Sequence, residues 1–402
     1  MRLTLPLQKQ HIGNAFKRLW KYQSALKVQE AKVPKPWVSM EIVDPILKPK
    51  TRYEPFKSPD PRLCPKVNGK EHPKWNDKVA YRFTPSTKLI EGEKQAALLC
   101  KSQVFYNLPE QLQQLTGVAK IKDQDLLVEN YILQACRWDP MYERLPKLYD
   151  RERPNRVFRR QYGITDRRKS HVIIHNLARL ASTLAGQYPE FLQQRQHIYN
   201  SYFSCPMENM GDLILINGTV HIHITSKKCL PAFATDAEVT ASENHHLADI
   251  FPLKQTIDLS KENIYTAEEQ IGLAGRTDSH PHTLLTRNPH YTYIDSQLNS
   301  KAMMHCMAHC IIEAHRMYGA DVKQLPQPIT VQHIGVNHTG QVFYFTAFQL
   351  NTLDFSSHDG VKNFTWFDGG NELFSDITKD GNVVGYNPEV FKKVLAFYLN
   401  GL

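Results

Sequence analysis

No stretch of this chain holds the roughly 18 unbroken apolar residues that a membrane-spanning helix needs, so the sequence predicts a soluble protein. Paired cysteines are missing too. The seven (Cys64, Cys100, Cys136, Cys205, Cys229, Cys306 and Cys310) are odd in number, scattered, and contain no C-x-x-C. That excludes a disulfide scaffold and points to reduced thiols. There is no G-x-S-x-G, no G-x-x-x-x-G-K-[ST] and no G-x-G-x-x-G, so nucleophile-elbow and nucleotide-loop chemistry lack their usual carriers. Gly360-Val361-Lys362-Asn363 lacks the glycine spacing of a phosphate loop and is better suited to turning the chain. Acidic residues are absent from Met1–Gln29, which carries six basic ones: Arg2, Lys9, Lys17, Arg18, Lys21 and Lys27.

What is present is an uneven distribution of charge. The chain is 402 residues long with a net charge of +9. Residues 1–170 hold 34 Lys and Arg against 18 Asp and Glu, whereas the remainder holds 15 against 22. A basic first half beside a mildly acidic second half points to a polyanionic partner, nucleic acid being the commonest. Within residues 1–30, Ile12, Phe16, Leu19 and Trp20 fall at helical spacing opposite the cations, the pattern of a mitochondrial import presequence. Residues 31–88 form a basic arm with ten prolines between Pro34 and Pro85, punctuated by Trp37, Phe56, Trp75 and Tyr81. Proline fixes its own torsion and drives its predecessor out of the helical region, so this arm is expected to be extended and to order by lying on a partner.

Residues 89–200 read as a mainly helical section. Leu89–Tyr106 and Gln124–Ala135 have helix-forming composition, His171–Leu184 carries a regular apolar stripe stopped by Gly186, and Pro189–Tyr199 is expected to make another helix. Between them lies RERPNRVFRRQYGITDRRK, in which Arg151, Arg153, Arg156, Arg159, Arg160, Arg167, Arg168 and Lys169 face only Glu152 and Asp166. Seven of these eight are arginine, whose planar fork binds phosphate oxygens bidentately and stacks on bases. Phe158 and Tyr162 are interleaved, so these eight residues are the candidate RNA-binding site. A solvated surface loop is the plainer alternative.

Residues 201–402 read as an α+β body. Three strands are expected at Ile329–Ile334, Gln341–Leu350 and Lys362–Phe367; the second is apolar on both faces, as an inner strand covered above and below would be. Asp212–Thr225 is expected to fold as a hairpin about Asn217-Gly218, with Leu213, Leu215, Val220 and Ile222 on one face. Gln255–Leu259 looks strand-like, followed by an irregular region to Pro289. A helix at Lys301–Tyr318, capped by Asn299 or Ser300, and a last helix from Pro388 to about Leu399 complete the pattern. The expected fold is therefore a mixed or antiparallel sheet covered by helices, with a helical middle section and an extended N-terminal arm.

Three groups invite a metal or catalytic interpretation. His305, His309 and Glu313 recur every four residues along one helix side, the set a metal-dependent hydrolase or nuclease would use. However, Cys306 stands where the zinc-protease motif needs Glu, and the neighbouring Met and Ile residues look like core. Asp212, His221 and His223 would meet in the hairpin, though histidines on a half-buried strand more often pack or bond to backbone. His245-His246 with Asp249 is a poor chelate, because adjacent residues on a helix point apart. The residues thus predict no cofactor and no small-molecule substrate.

A family likeness runs in order from about residue 70 to the end. It is carried by Glu71-His72-Pro73, Leu89-Ile90-Glu91-Gly92, Leu108-Pro109-Glu110, Ile257-Asp258-Leu259, Pro281-His282-Thr283-Leu284, Phe348-Gln349-Leu350-Asn351-Thr352, Gly360-Val361-Lys362-Asn363 and the final helix through Phe391, Leu395-Ala396 and Tyr398-Leu399. Together these resemble a family of mitochondrial large-ribosomal-subunit proteins that includes a relative once called a programmed-cell-death protein. The resemblance implies a structural, non-enzymatic protein of the mitochondrial matrix. Its expected partners are large-subunit rRNA and neighbouring mitochondrial ribosomal proteins, including its paralogue. The likeness is weakest over Met1–Lys66 and around Arg151–Lys169, so the arginine cluster is not carried over from it and rests on composition alone. A freestanding RNA-binding regulator and the His305/His309/Glu313 metalloenzyme are the competing readings.

Overall fold

Phe343, Phe345 and Ala347 belong to one apolar cluster and Phe348 and Leu350 to another, so the strand that holds them is covered on both sides, as its sequence predicts. The computed structural model describes residues 79–401 except 149, 154–155, 190–193, 264–267, 274–278, 289–291 and 379. The chain divides into units 1–69 and 70–402, and every described residue belongs to the second. The import-like leader and nearly all of the proline-rich arm lie outside the described residues.

In chain order the elements begin with β1 (Val79–Phe83), α1 (Glu93–Leu99), β2 (Ser102–Phe105), α2 (Glu110–Leu115), α3 (Gln124–Leu133), β3 (Glu143–Arg144), β4 (Tyr162–Gly163) and α4 (Asp166–Ser182). They continue with β5 (Gln196–Asn209), β6 (Asp212–Ser226), α5 (Asp236–Ala241), β7 (Ser260–Asn263), β8 (Gln270–Ile271), β9 (His280–Arg287) and α6 (Asp295–Tyr318). Last come β10 (Gln324–Val336), β11 (Val342–Thr352), β12 (Asn363–Glu372), β13 (Asp376–Ile377), β14 (Val383–Val384) and α7 (Pro388–Leu399).

Ten strands make one mixed sheet in the order β2-β12-β11-β10-β9-β6-β1-β7, with β5 along β6 and β8 on β5. The pairs β1–β6, β9–β10 and β2–β12 are parallel and the others antiparallel. β1 takes Leu213–Ile216 of β6, β9 takes Ile222–Ser226, and β5 runs along its whole length. One face of the sheet is covered by α6 and α1, the other by α4 and α7 with α2 and α3. The result is the expected α+β body, with a sheet closed between helical layers.

Several local expectations fail for tertiary reasons. Asp212–Ser226 is one uninterrupted strand, and the hairpin turn sits earlier, at Met210-Gly211, both left-handed at φ 47° and 83°. Asn217 instead turns its amide toward the Phe83 carbonyl and the Arg82 guanidinium. Gly218 is small because the Phe203 ring packs on it: a Cβ there would lie 2.9 Å from two ring carbons. Packing, not turning, explains that glycine. Asn200, at φ 52°, stands opposite His221, and the apolar residues of β6 change core across that point. Ile214, Ile216 and Val220 belong with α6, whereas Ile222 and Ile224 belong with α4.

Residues 196–199, expected to be helical, are the start of β5, drawn into the sheet by the length of β6. Helix formation in Leu89–Tyr106 stops at Leu99, Lys101 turns left-handed, and Ser102–Phe105 pairs with β12. Gln255–Leu259 is a series of turns, and the region expected to be irregular contains the inner strand β9. α6 begins at Asp295, with the Gln297 side chain accepting the Ile294 N–H. Asn299 and Ser300 lie inside the helix, not at its cap.

Candidate nucleic-acid interface

The arginine-rich segment is presented in two parts. Glu143 pairs with Gly163 and Arg144 with Tyr162, a two-residue ladder that closes the intervening loop. Its base is tightened by Leu145 N–H to the Gln161 carbonyl at 3.0 Å and by the Arg160 guanidinium to the Leu145 carbonyl at 3.2 Å. Arg151, Arg153, Arg156, Arg159 and Arg160 all stand exposed on this loop. The Arg156 guanidinium lies 4.9 Å over the Phe158 ring. Along the same segment Trp138, Tyr142 and Tyr162 are each more than half exposed, although aromatic rings of this size are usually covered.

Arg167, Arg168 and Lys169 belong instead to the first turn of α4, which starts because Thr165 accepts the Arg168 N–H at its hydroxyl. The same hydroxyl donates to Glu143 Oε2 at 3.1 Å, tying the helix cap to the loop ladder. Arg168 pairs with the nearly buried Asp139 at 2.7 Å, and Lys169 with Asp166 at 2.8 Å. Burial pushes the Asp139 carboxyl up, but the Met141 N–H and Arg168 outweigh it and hold it below the ordinary carboxylate value. Cations near a helix N-terminus oppose the helix dipole, so Asp139 and Asp166 offset a local conflict. Arg168 and Lys169 are therefore partly committed to holding α4. Among the described residues, the side chains of Arg151, Arg153, Arg159 and Arg167 have no hydrogen-bonded acceptor.

The candidate metal sets come out differently from expectation. His305 and His309 share one side of α6 and are buried against the Phe203 ring, but Glu313 turns away from them. Its carboxylate accepts from His280 at 2.5 Å and from Arg316 Nη2 and Nε at 2.6 and 3.0 Å. His309 donates to the His305 carbonyl, and both His305 ring nitrogens are buried without a partner. Asp212 stands beside the turn, His221 faces α4, and His223 is buried against His309, so one continuous strand separates what the hairpin would have joined. His245, His246 and Asp249 line an open cleft with His358.

Two constellations emerge that spacing alone did not single out: His171, His175 and His221, and Cys229, His280 and Glu313. In each, the potential ligand atoms lie within 4.8 Å of one another. His171 and His175 are four apart on one helix, a spacing the sequence carries, whereas the strand residue that joins them depends on the fold. At the second, the Cys229 thiol, the Glu313 carboxylate and Arg316 all approach the same ring nitrogen of His280. A catalytic relay needs both ring nitrogens, so this arrangement is an ion pair between a partly buried imidazole and a buried carboxylate, with an exposed thiol beside it. Hydrogen bonds to Cys229 and Glu313 raise His280 to about 9 despite its burial.

Residues 282–401, which include most of β9, all of β10 to β14 and the helices α6 and α7, match the family described as mitochondrial 28S ribosomal protein S30 (PDCD9). A protein from Bos taurus named large ribosomal subunit protein mL37 is 31% identical over 349 residues, spanning 82% of this chain and 77% of its own length. Its namesakes in Gallus gallus and Rattus norvegicus are 28% and 29% identical, spanning 87% and 85% of this chain and 79% and 80% of theirs. The family description carries a small-subunit name and the relatives a large-subunit one; the relatives carry more weight, because they span most of the chain. The class thus defined is that of ribosomal proteins of mitochondria. Within it, the chain belongs to the mL37 family.

Proposed function

We propose that this chain is a structural component of the mitochondrial large ribosomal subunit, working by binding and not by turnover. The observation that carries this is the 31% identity to a large-subunit protein across most of both chains. In this reading the protein resides in the mitochondrial matrix and joins large-subunit rRNA to neighbouring ribosomal proteins, its paralogue among them. Arg151, Arg153, Arg156, Arg159 and Arg160 supply phosphate contacts from the exposed loop, joined by Arg167 at the helix start. Arg168 and Lys169 serve mainly to hold that helix, given their pairing with Asp139 and Asp166. The basic arm before Pro85 adds further phosphate neutralisation, and the acidic folded body meets protein. The described residues hold no helix long and apolar enough to cross a membrane, which fits a particle component.

Changing Arg156, Arg159 and Arg160 together to Glu tests the assignment. Each phosphate contact contributes about 0.7 to the log–log salt slope on single-stranded RNA, so the variant's slope should fall by about 2. Affinity should fall with it, while the folded body melts as before. An unaltered slope would remove this loop from the RNA interface and leave the family assignment standing.

A further inference from the structure

His171 and His175 lie one turn apart on α4, and His221 reaches them from β6 at the point where that strand changes face. The three rings form a closed triangle, with centroid separations of 4.3, 4.9 and 5.0 Å. His171 Nδ1 and His221 Nε2 approach to 2.8 Å, so a single proton lies between two nitrogens that would otherwise repel. Tyr199 stacks on His175 at 5.0 Å and 12°, fixing the plane of that ring from outside. All three histidines are half-buried, reachable from solvent yet held by a helix and a sheet.

We propose that His171, His175 and His221 bind one divalent transition-metal ion of the zinc type through three imidazole nitrogens. The donor set suits Zn2+ and Cu2+ and disfavours Mg2+ and Ca2+, which require oxygen ligands. Tetrahedral zinc with bonds of about 2.0–2.1 Å needs nitrogens roughly 3.3 Å apart, so the His171–His221 pair must open by about half an ångström. When the proton shared by His171 and His221 moves to the far nitrogen of its own ring, both facing nitrogens present lone pairs to the ion, and that opening is permitted. The remaining coordination position is left to water or an external ligand, as in three-histidine sites generally.

The surrounding charges bear on affinity. Arg167, Arg168 and Arg287 face the cluster, with Asp139 the acidic group on the other side of the balance. Burial first, then these arginines and the mutual proximity of the rings, lower His175 to about 4 and His221 to about 3, and push His171 below its ordinary value. The neutral ring is the form that ligates, and the shared proton must leave the facing nitrogens before the ion enters. The same positive field opposes a dication, which limits the site to ions with strong imidazole affinity. Binding joins α4 to the sheet, so the ion stabilises the folded body in proportion to its occupancy. None of this depends on the ribosomal assignment.

The test uses the full-length chain stripped with a chelator and titrated with Zn2+ by calorimetry, and with Co2+ by visible absorption. The expected result is one ion per chain at pH 7.5 and a zinc-dependent rise in melting temperature. H175N and H221N should each weaken binding by at least about a hundredfold, while H246N and C229S leave it intact. Circular dichroism of the metal-free variants checks that each still folds. Should one fail to fold, X-ray absorption of the zinc-loaded wild type decides: three nitrogen scatterers of imidazole type support the site, and a sulfur neighbour overturns it. Absence of stoichiometric binding, or binding lost in C229S and kept in H175N and H221N, would also overturn it.

Discussion

Five histidines in the body, His223, His282, His305, His309 and His333, are each no more than 2% exposed. Burial lowers all five, His309 to about 4 and His333 to about 3. A base whose folded pKa lies below its unfolded value binds its proton only on unfolding. Stability is therefore full above the unfolded value near 6.5 and declines as pH falls below it. Each histidine contributes about 1.4 kcal/mol per pH unit, which for five together rivals the whole stability of an ordinary domain within one to two units. The body should accordingly unfold cooperatively between roughly pH 4.5 and 6. Denaturant titrations across that range should show an uptake of several protons, reduced by about two in H305Q/H333Q. A slope of less than one proton would contradict this account. His280 acts in the opposite sense: raised to about 9, its contribution is full below about 6.5 and is lost as pH rises through 9. H280Q should abolish that alkaline decline.

At the scale of elements, α4 links the candidate interface to the sheet. Gly340, at the turn between β10 and β11, lies against it with φ 87°; an added Cβ would come within 2.9 Å of Ile173 Cδ1 and 3.1 Å of the Ser170 backbone. Strain and clash act together there, so G340A should cost about 2–3 kcal/mol in chemical denaturation; a change under 0.5 kcal/mol would show that α4 shifts freely. At the other end, T165A should cost about 1 kcal/mol and loosen the β3–β4 ladder, seen as faster hydrogen exchange at Leu145. What the sequence disclosed follows the same division. Val342–Thr352, the helix through His171–Ser182 and the Pro388 helix announce themselves, because alternation, apolar stripe and cap all agree with their surroundings. Asn217-Gly218 misleads because its glycine answers to the ring of Phe203, its cross-strand partner on β5, a pairing invisible to local pattern. The start of β5 misleads because strand length is set by its partner. Arg151–Arg160 was legible as an arginine-rich segment from composition, whereas the commitment of Arg168 to Asp139 needed the fold. His221 joined His171 and His175 only once β6 was placed.

At the scale of the whole molecule, the proposed function has the basic front meet RNA and the acidic body meet protein. Among the described residues the sheet is covered by helices on both faces, and the proposal assigns attachment to RNA to the arginine loop, the start of α4 and the basic N-terminal sequence. An attachment of that kind is electrostatic and should loosen as salt rises. Gradient sedimentation of gently lysed mitochondria, repeated at increasing ionic strength, measures this most directly. The account predicts that the chain travels with the large ribosomal particle at low salt and is released progressively at high salt, sooner in the Arg156, Arg159 and Arg160 triple-Glu variant. A chain that stays in the light fractions at every salt concentration would contradict it.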